Sequence, residues 1–230
     1  MKVSLLTYTP NPEKVIAAAA RCCYSNDDPD KLMEDMTDEK AVKMLSKLPA
    51  QHKSVYEHVS FTFAISGVSR SFLAQCSRHR VCSMSVRSQR YCDMSNTEFV
   101  YPPTDNEEAA ADFKNNMRSN LERYSHLLED GIKKEDARYV LPEATTTAMM
   151  LTMNARELLH FFSLRCCTRA QWEIRAVANE MVKIVKDVSP VIFKDAGATC
   201  AQLGYCPEGK MTCGKAPTLD QLTSSYHSKE

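Results

Sequence analysis

The chain has 230 residues, a formal net charge of zero, 43% hydrophobic and 25% charged residues, and ten cysteines. That is enough for one large domain with a sizeable core, and the composition excludes disordered and fibrous classes. No apolar run reaches the roughly 18 to 20 residues of a membrane span, and neutrality argues against a dedicated duplex-DNA binder while leaving room for a locally cationic ligand pocket.

The start, "MKVSLLTYTPNPEK", has a short apolar run broken by prolines and no small-residue cleavage site. It predicts a strand over 2–8 and not a signal peptide, which leaves a reducing cytoplasm with free thiols as the expected setting. Asn11 as N-cap and Pro12 at the first helical position open an alanine-rich helix, and a charged helical stretch runs from Lys31 to Leu48, stopped near Pro49. "VSFTFAIS" alternates Val59, Phe61, Phe63 and Ile65 with smaller residues and predicts a half-buried strand, broken at Gly67. Ser69 caps a helix through "RSFLAQCSRHR", with Phe72, Leu73 and Cys76 inward and Gln75, Arg78 and His79 on one face at i, i+3 and i+4. Residues 81–89 read as a polar loop and Arg90-Tyr91 as the opening of another strand. A long amphipathic helix covers roughly 105–131, and "KEDARYVLP" starts a further helix that Pro142 ends. "TTTAMMLTM" predicts a strand, and Asn154 caps "ARELLHFFSLR", where Leu158, Leu159, Phe161 and Phe162 face inward while Arg156 and His160 share another face. A last long helix over 170–188 turns Ile174, Val177, Met181, Ile184 and Val185 inward. The expected class is α+β: one domain over 1–195, with a mixed or antiparallel sheet and long helices, followed by a cysteine-containing tail over 196–230.

The chemistry concentrates in "SRHRVCSMSVRSQRY", Ser77 to Tyr91, which holds Arg78, His79, Arg80, Arg87 and Arg90 and no lysine. Arginine presents a planar, permanently charged fork that pairs bidentately with phosphate or with the carbonyl edge of a base. No glycine-rich phosphate loop occurs anywhere, so phosphate binding here has to come from side chains and helix ends. Ser88 lacks a Gly-x-Ser-x-Gly elbow and reads better as a hydrogen-bonding ligand than as a nucleophile. His52, Glu57 and His58 of "HKSVYEH" do not have metal-ligand spacing, and Cys200, Cys206 and Cys213 lack the tight Cys-x-x-Cys pairs of zinc sites, so no metal is expected. A metal-binding regulatory protein built on those tail cysteines is one competing class, and an RNA-binding module is the other. It calls for aromatics interleaved with the basic residues, and the segment offers only Tyr91.

"RHRVCSMSVRS", an Arg-His-Arg followed by seven residues and a serine, closely resembles the signature of flavin-dependent thymidylate synthases. "HKSVYEHVSFTF" is similar to that family's His-x-(Ser/Thr)-x-x-Glu-His segment, and "ARYVLP", "TMNARELLHFFSLR" and "AQWEIR" follow in the same order, so the resemblance runs from about Val3 to Phe193. It implies methylation of dUMP to dTMP, with methylenetetrahydrofolate as carbon donor and NADPH as reductant through bound FAD, in a homotetramer with shared active sites and no nucleic-acid or membrane partner. It further implies a nucleotide site of Gln75, Cys76, Ser77 and Arg78 from one subunit, Val86, Arg87, Ser88, Gln89 and Arg90 from a neighbour, and Arg138. The flavin is implied to contact Ser54, Arg78, His79, Arg80, Val81, Asn154, Ala155, Arg156 and His160. Arg165 matches the arginine that favours the ionised N3 of the uracil ring. At position 86 many members have Glu or Gln, and Val86 can offer only its backbone.

Overall fold

Strand β1, Lys2–Tyr8, opens the chain in a computed structural model that describes residues 1–48 and 52–227, with side chains to 223. Helix α1, Pro12–Cys22, begins at Pro12, whose fixed φ suits the first helical position. Asn11 precedes it in the left-handed region, φ 50°, and its side chain caps nothing; only its carbonyl joins the helix, accepting from the Val15 N–H at 3.1 Å. The single helix expected over 31–48 is two, α2 (Pro29–Glu34) and α3 (Asp38–Leu45). The break has a local cause: the Thr37 hydroxyl accepts from the Lys40 N–H at 3.3 Å and starts a new helix, while Lys40 Nζ donates to the Asp35 carbonyl at 2.8 Å. Pro49 lies outside the described residues.

Strand β2, Ser60–Ser69, buries Phe61, Phe63 and Ile65 as the alternation predicts. It does not stop at Gly67 but passes through it with φ +66°, where an added Cβ would meet the Met1 backbone nitrogen at 3.1 Å. Glycine is favoured there by the left-handed backbone, with the Met1 backbone close beside it, and not by strand termination. Helix α4, Arg70–Cys76, and strand β3, Cys82–Val86, follow. Residues 82–86 were expected to be loop. Their half-buried Cys82, Met84 and Val86 alternate with exposed Ser83 and Ser85, the period of a strand with a polar face. Arg90 and Tyr91 lie in a turn and open no strand. Then come α5 (Glu107–Glu129), α6 (Lys134–Ala137) running into a 3-10 turn Arg138–Val140, β4 (Thr146–Asn154), α7 (Ala155–Arg165), α8 (Trp172–Val188), and in the tail α9 (Thr199–Leu203) and α10 (Leu219–His227).

The sheet has the order β1-β2-β4-β3. Thr9 N–H donates to the Ser60 carbonyl at 3.0 Å beside β1 and β2, and the Thr62 and Thr152 hydroxyls share a hydrogen bond of 2.9 Å across β2 and β4. The α+β class expected from the sequence is the one observed. The chain forms two compact units, one of residues 1–2 and 64–151, the other of residues 3–63 and 152 onward, and β1, β2 and β4 each contribute residues to both. The first has a core of Met94, Tyr124 and Ala137 with Leu127, Leu128, Val140 and Leu141, and Tyr124 accepts from the Met94 N–H at 3.3 Å. In the second, Phe193 meets Phe61 and Phe162 edge to face at 5.3 and 6.2 Å, and α8 buries Ile174, Val177, Met181 and Val185, with Ile184 half-buried at the margin.

Candidate active site

The nucleotide candidates all fall in the first unit. Ser69 Oγ accepts from the Phe72 N–H at 2.9 Å, and the Arg70 and Ser71 N–H groups donate to the Thr145 and Glu143 carbonyls at 3.1 Å each, so the start of α4 is fixed by bonds to the segment before β4. The helix ends at Cys76, whose side chain is wholly buried, and the chain turns through Ser77, Arg78 and His79. This overturns the shared helical face of Gln75, Arg78 and His79: past the helix end Arg78 and Arg80 are exposed, whereas His79 is 4% exposed. Val81 is exposed beyond them.

At the end of β3, Val86 is half-buried and Arg87 exposed, with the Arg87 N–H donating to the Ala148 carbonyl at 2.9 Å. Ser88 builds the next turn, its hydroxyl accepting from the Arg90 N–H at 3.2 Å and its carbonyl from the Cys92 N–H at 3.0 Å. That is the work of a turn-forming acceptor. Arg90 places Nε and Nη2 on one oxygen of Glu135, at 3.0 and 2.8 Å, with its guanidinium carbon 5.6 Å from the centre of the Tyr91 ring. The Glu135 backbone carbonyl accepts from Arg138 Nε at 3.0 Å. One residue of α6 thus orients two arginines. The pair is visible in both partners: the hydrogen bond and charge of Arg90 hold the Glu135 carboxyl below its usual range, and Glu135 raises Arg90.

Beside this pair a mostly polar cleft of about 260 Å³ is lined by Arg70, Gln89, Arg138, Tyr139, Leu141, Pro142 and Glu143. It joins two residues that the sequence reading assigned to the nucleotide, Gln89 and Arg138, from distant parts of the chain. Arg70 was missed. The signal available was an arginine directly after a helix cap, seven residues before the conspicuous cluster begins.

The remaining candidates fall in the second unit. Ser54 is exposed on a 3-10 turn, Lys53–His58. Helix α7 packs against that turn; its Asn154 Oδ1 accepts from the Glu157 N–H at 2.8 Å, and the buried Ala155 donates its N–H to the Val59 carbonyl at 3.0 Å. Arg156 reaches back to Glu57 of the turn, Nη1 to Oε1 at 2.5 Å, and His160 Nδ1 lies 3.3 Å from Glu157 Oε1. Arg156 and His160 are exposed on one face of α7, one turn apart, as the spacing predicts. Glu57 is the link between the two elements. Arg165 closes the last turn of α7 and is half-buried. Beyond it Arg175 Nη1 donates to the Thr168 and Ala170 carbonyls at 2.7 and 3.3 Å, pinning the loop between α7 and α8.

The profile of the family described as "Thymidylate synthase complementing protein" matches residues 4–191. The chain belongs to the flavin-dependent thymidylate synthase family. A member from Geobacter sulfurreducens is 48% identical over 227 residues, which cover 96% of this chain and 97% of that one. One from Clostridium tetani is 45% identical over 242 residues, 96% of each chain. Among solved structures, the flavin-dependent thymidylate synthase of Helicobacter pylori complexed with FAD and dUMP aligns with a TM-score of 0.69 at 27% identity, covering 86% of this chain and all of that one. The family profile ends at 191, but a 96% match to the two relatives carries the likeness into the tail, past the Phe193 limit read from the motifs.

Proposed function

We propose that this family member converts dUMP to dTMP, with methylenetetrahydrofolate as carbon donor and NADPH as reductant, acting with FAD. The observation that carries the reading is the cleft that gathers Arg70, Gln89 and Arg138 next to the Arg90–Glu135 pair. It offers guanidinium forks for a phosphate and an amide for a base, without any glycine loop. In this reading Gln75, Ser77, Arg78, Arg87, Ser88, Gln89, Arg90 and Arg138 bind the nucleotide. Cys76, being wholly buried, and Val86 contribute through their backbone.

The residues present suit a flavin dinucleotide. Arg78, Arg80, Arg156 and His160 are exposed donors for a diphosphate, and Ser54 and the Asn154 amide are small polar groups at the starts of their elements. His79 and Val81 complete that set, with Ala155 offering backbone. When bound, FAD supplies the hydride chemistry that connects NADPH to the methylation. The chain's own part is electrostatic: the Arg165 guanidinium stabilises negative charge on the ionised uracil ring and so makes C5 more nucleophilic. Ser88 holds the nucleotide and does not attack it.

The reading extends to a homotetramer in the cytoplasm, with a synthase domain over 1–195 and a tail over 196–230. No described helix is long and apolar enough to cross a membrane. The test is direct. Purified protein is expected to be yellow, with flavin absorbance, and to oxidise NADPH only when dUMP and methylenetetrahydrofolate are present. A colourless preparation that FAD cannot reconstitute and that shows no dUMP-dependent oxidation overturns the proposal.

A further inference from the structure

The chain after Phe193 returns to α7. Thr199, the first residue of α9, donates Oγ1 to the Ser163 carbonyl at 3.1 Å. Gln202 donates Nε2 to the Leu159 carbonyl at 3.3 Å and to the Gly197 carbonyl at 3.2 Å. Leu159 and Ser163 are four apart, so α9 grips α7 at two successive turns. The Thr199 grip matters more, because Ser163 is in the last turn, where intrahelical donors run out and the end frays unless something supplies them. Further along the tail Glu208 pairs with Arg169. The Cys206 N–H donates to the Pro217 carbonyl at 2.7 Å, closing the loop that carries Glu208 and Cys213. The tail therefore touches α7 and the loop after it at 159, 163 and 169. Arg165 lies between those contacts.

We propose that the tail is a brace for the C-terminal turn of α7, in which Thr199, Gln202 and Glu208 are positioning residues for Arg165. The proposal rests on the reading of Arg165 as the group that faces the uracil ring. Each contact is of a kind that adds little to global stability. The Arg169–Glu208 pair is 48% and 33% exposed, and exposed ion pairs are worth little. The Leu159 carbonyl lies inside a helix that already supplies a donor. What such contacts control is where the last turn points. A guanidinium that must meet a ring in one geometry is sensitive to that, since displacements on the order of 1 Å can cost about 100-fold in rate.

The experiment uses the full-length holoenzyme and four variants: Glu208→Ala, Glu208→Asp, the double variant Thr199→Val/Gln202→Leu, and Arg165→Ala. Glu208→Ala and the double variant are each expected to lower kcat about tenfold, part of the effect that misplacement allows. KM for dUMP and Kd for FAD are expected to change by less than about twofold, the mark of a group used mainly in the transition state. Glu208→Asp is expected to restore most of the rate. In an Arg165→Ala background the tail substitutions are expected to have no further effect, because coupled residues are not additive. Full turnover in the tail variants while Arg165→Ala is impaired overturns the brace alone, as do losses that simply multiply with Arg165→Ala. Full turnover in Arg165→Ala overturns the reading of Arg165 and the brace with it.

Discussion

Glu135 accepts both Arg90 donors on one carboxylate oxygen and holds Arg138 by its backbone carbonyl. Substituting Glu135→Gln removes the charge and keeps the shape, so Arg90 loses its fixed pose while Arg138 keeps its backbone bond. The expected outcome is a rise of roughly three- to tenfold in the dUMP dissociation constant, read by isothermal titration, the scale of one ordinary hydrogen bond. The sign of the pH dependence follows from the lowered Glu135 carboxyl: its contribution is present above the ordinary carboxylate range and fades as pH falls through its depressed value. Two cysteines differ in the opposite sense. Burial pushes the Cys166 thiol up to about 12, whereas exposed Cys213 is held below its usual value by the Thr168 hydrogen bond and nearby backbone N–H groups. With limiting iodoacetamide near neutral pH, mass mapping is expected to find Cys213 alkylated while Cys166 stays unmodified. At this scale the arginine cluster was legible in the sequence because it is contiguous. Arg70 and Glu135 were not, because what makes them part of the site is contact with residues far away along the chain.

Helix caps were legible for the same local reason: Ser69 and Asn154 each reach a backbone N–H three residues on. The cap made by Asn154 can be separated from the flavin contact proposed for it. Asn154→Ala is expected to cost about 1 kcal/mol in chemical denaturation through the lost cap. Asn154→Asp is expected to keep that stability, since a carboxylate caps equally well, and yet to weaken FAD binding by placing a negative charge where an amide was. What sequence reading missed among the elements has equally specific causes. Helix α4 ends at Cys76 although nothing in "SRHR" forbids continuing: the Arg78 and His79 N–H groups donate three residues back, to the Gln75 and Cys76 carbonyls, instead of four. Strand β3 was hidden by its serines, which make the exposed face look like loop. Strand β2 passes through Gly67 in a left-handed conformation beside the Met1 backbone, and Gly67→Ala is expected to destabilise by about 1–3 kcal/mol, the cost of a strained left-handed residue.

For the whole molecule the α+β class followed from the alternation of strand-period and helix-period segments, and the assignment of β1, β4, α7 and α8 with it. The division into two compact units did not, since its boundaries fall inside strands and depend on pairings that no local pattern encodes. Burial also raises the Glu13 carboxyl, against the lowering effect of the Glu13 and Val191 backbone N–H groups and the Ser189 hydroxyl. A raised carboxyl favours the folded state only while protonated, and that advantage is lost as pH rises through its folded value. Glu13→Gln is therefore expected to raise the melting temperature at pH 7 to 8, with the gain shrinking toward pH 4.

The hydrogen bond between Thr62 and Thr152 joins residues 90 apart, across the two central strands. Loop-closure entropy has to be overcome before that ladder yields anything, so refolding should be governed by a slow search rather than by its fast local helices. During synthesis β2 must wait, its apolar face without its central neighbour, until the ribosome has released β4. In that interval the nascent chain presents a strand edge open to other molecules, and expression yield should fall with anything that lengthens it.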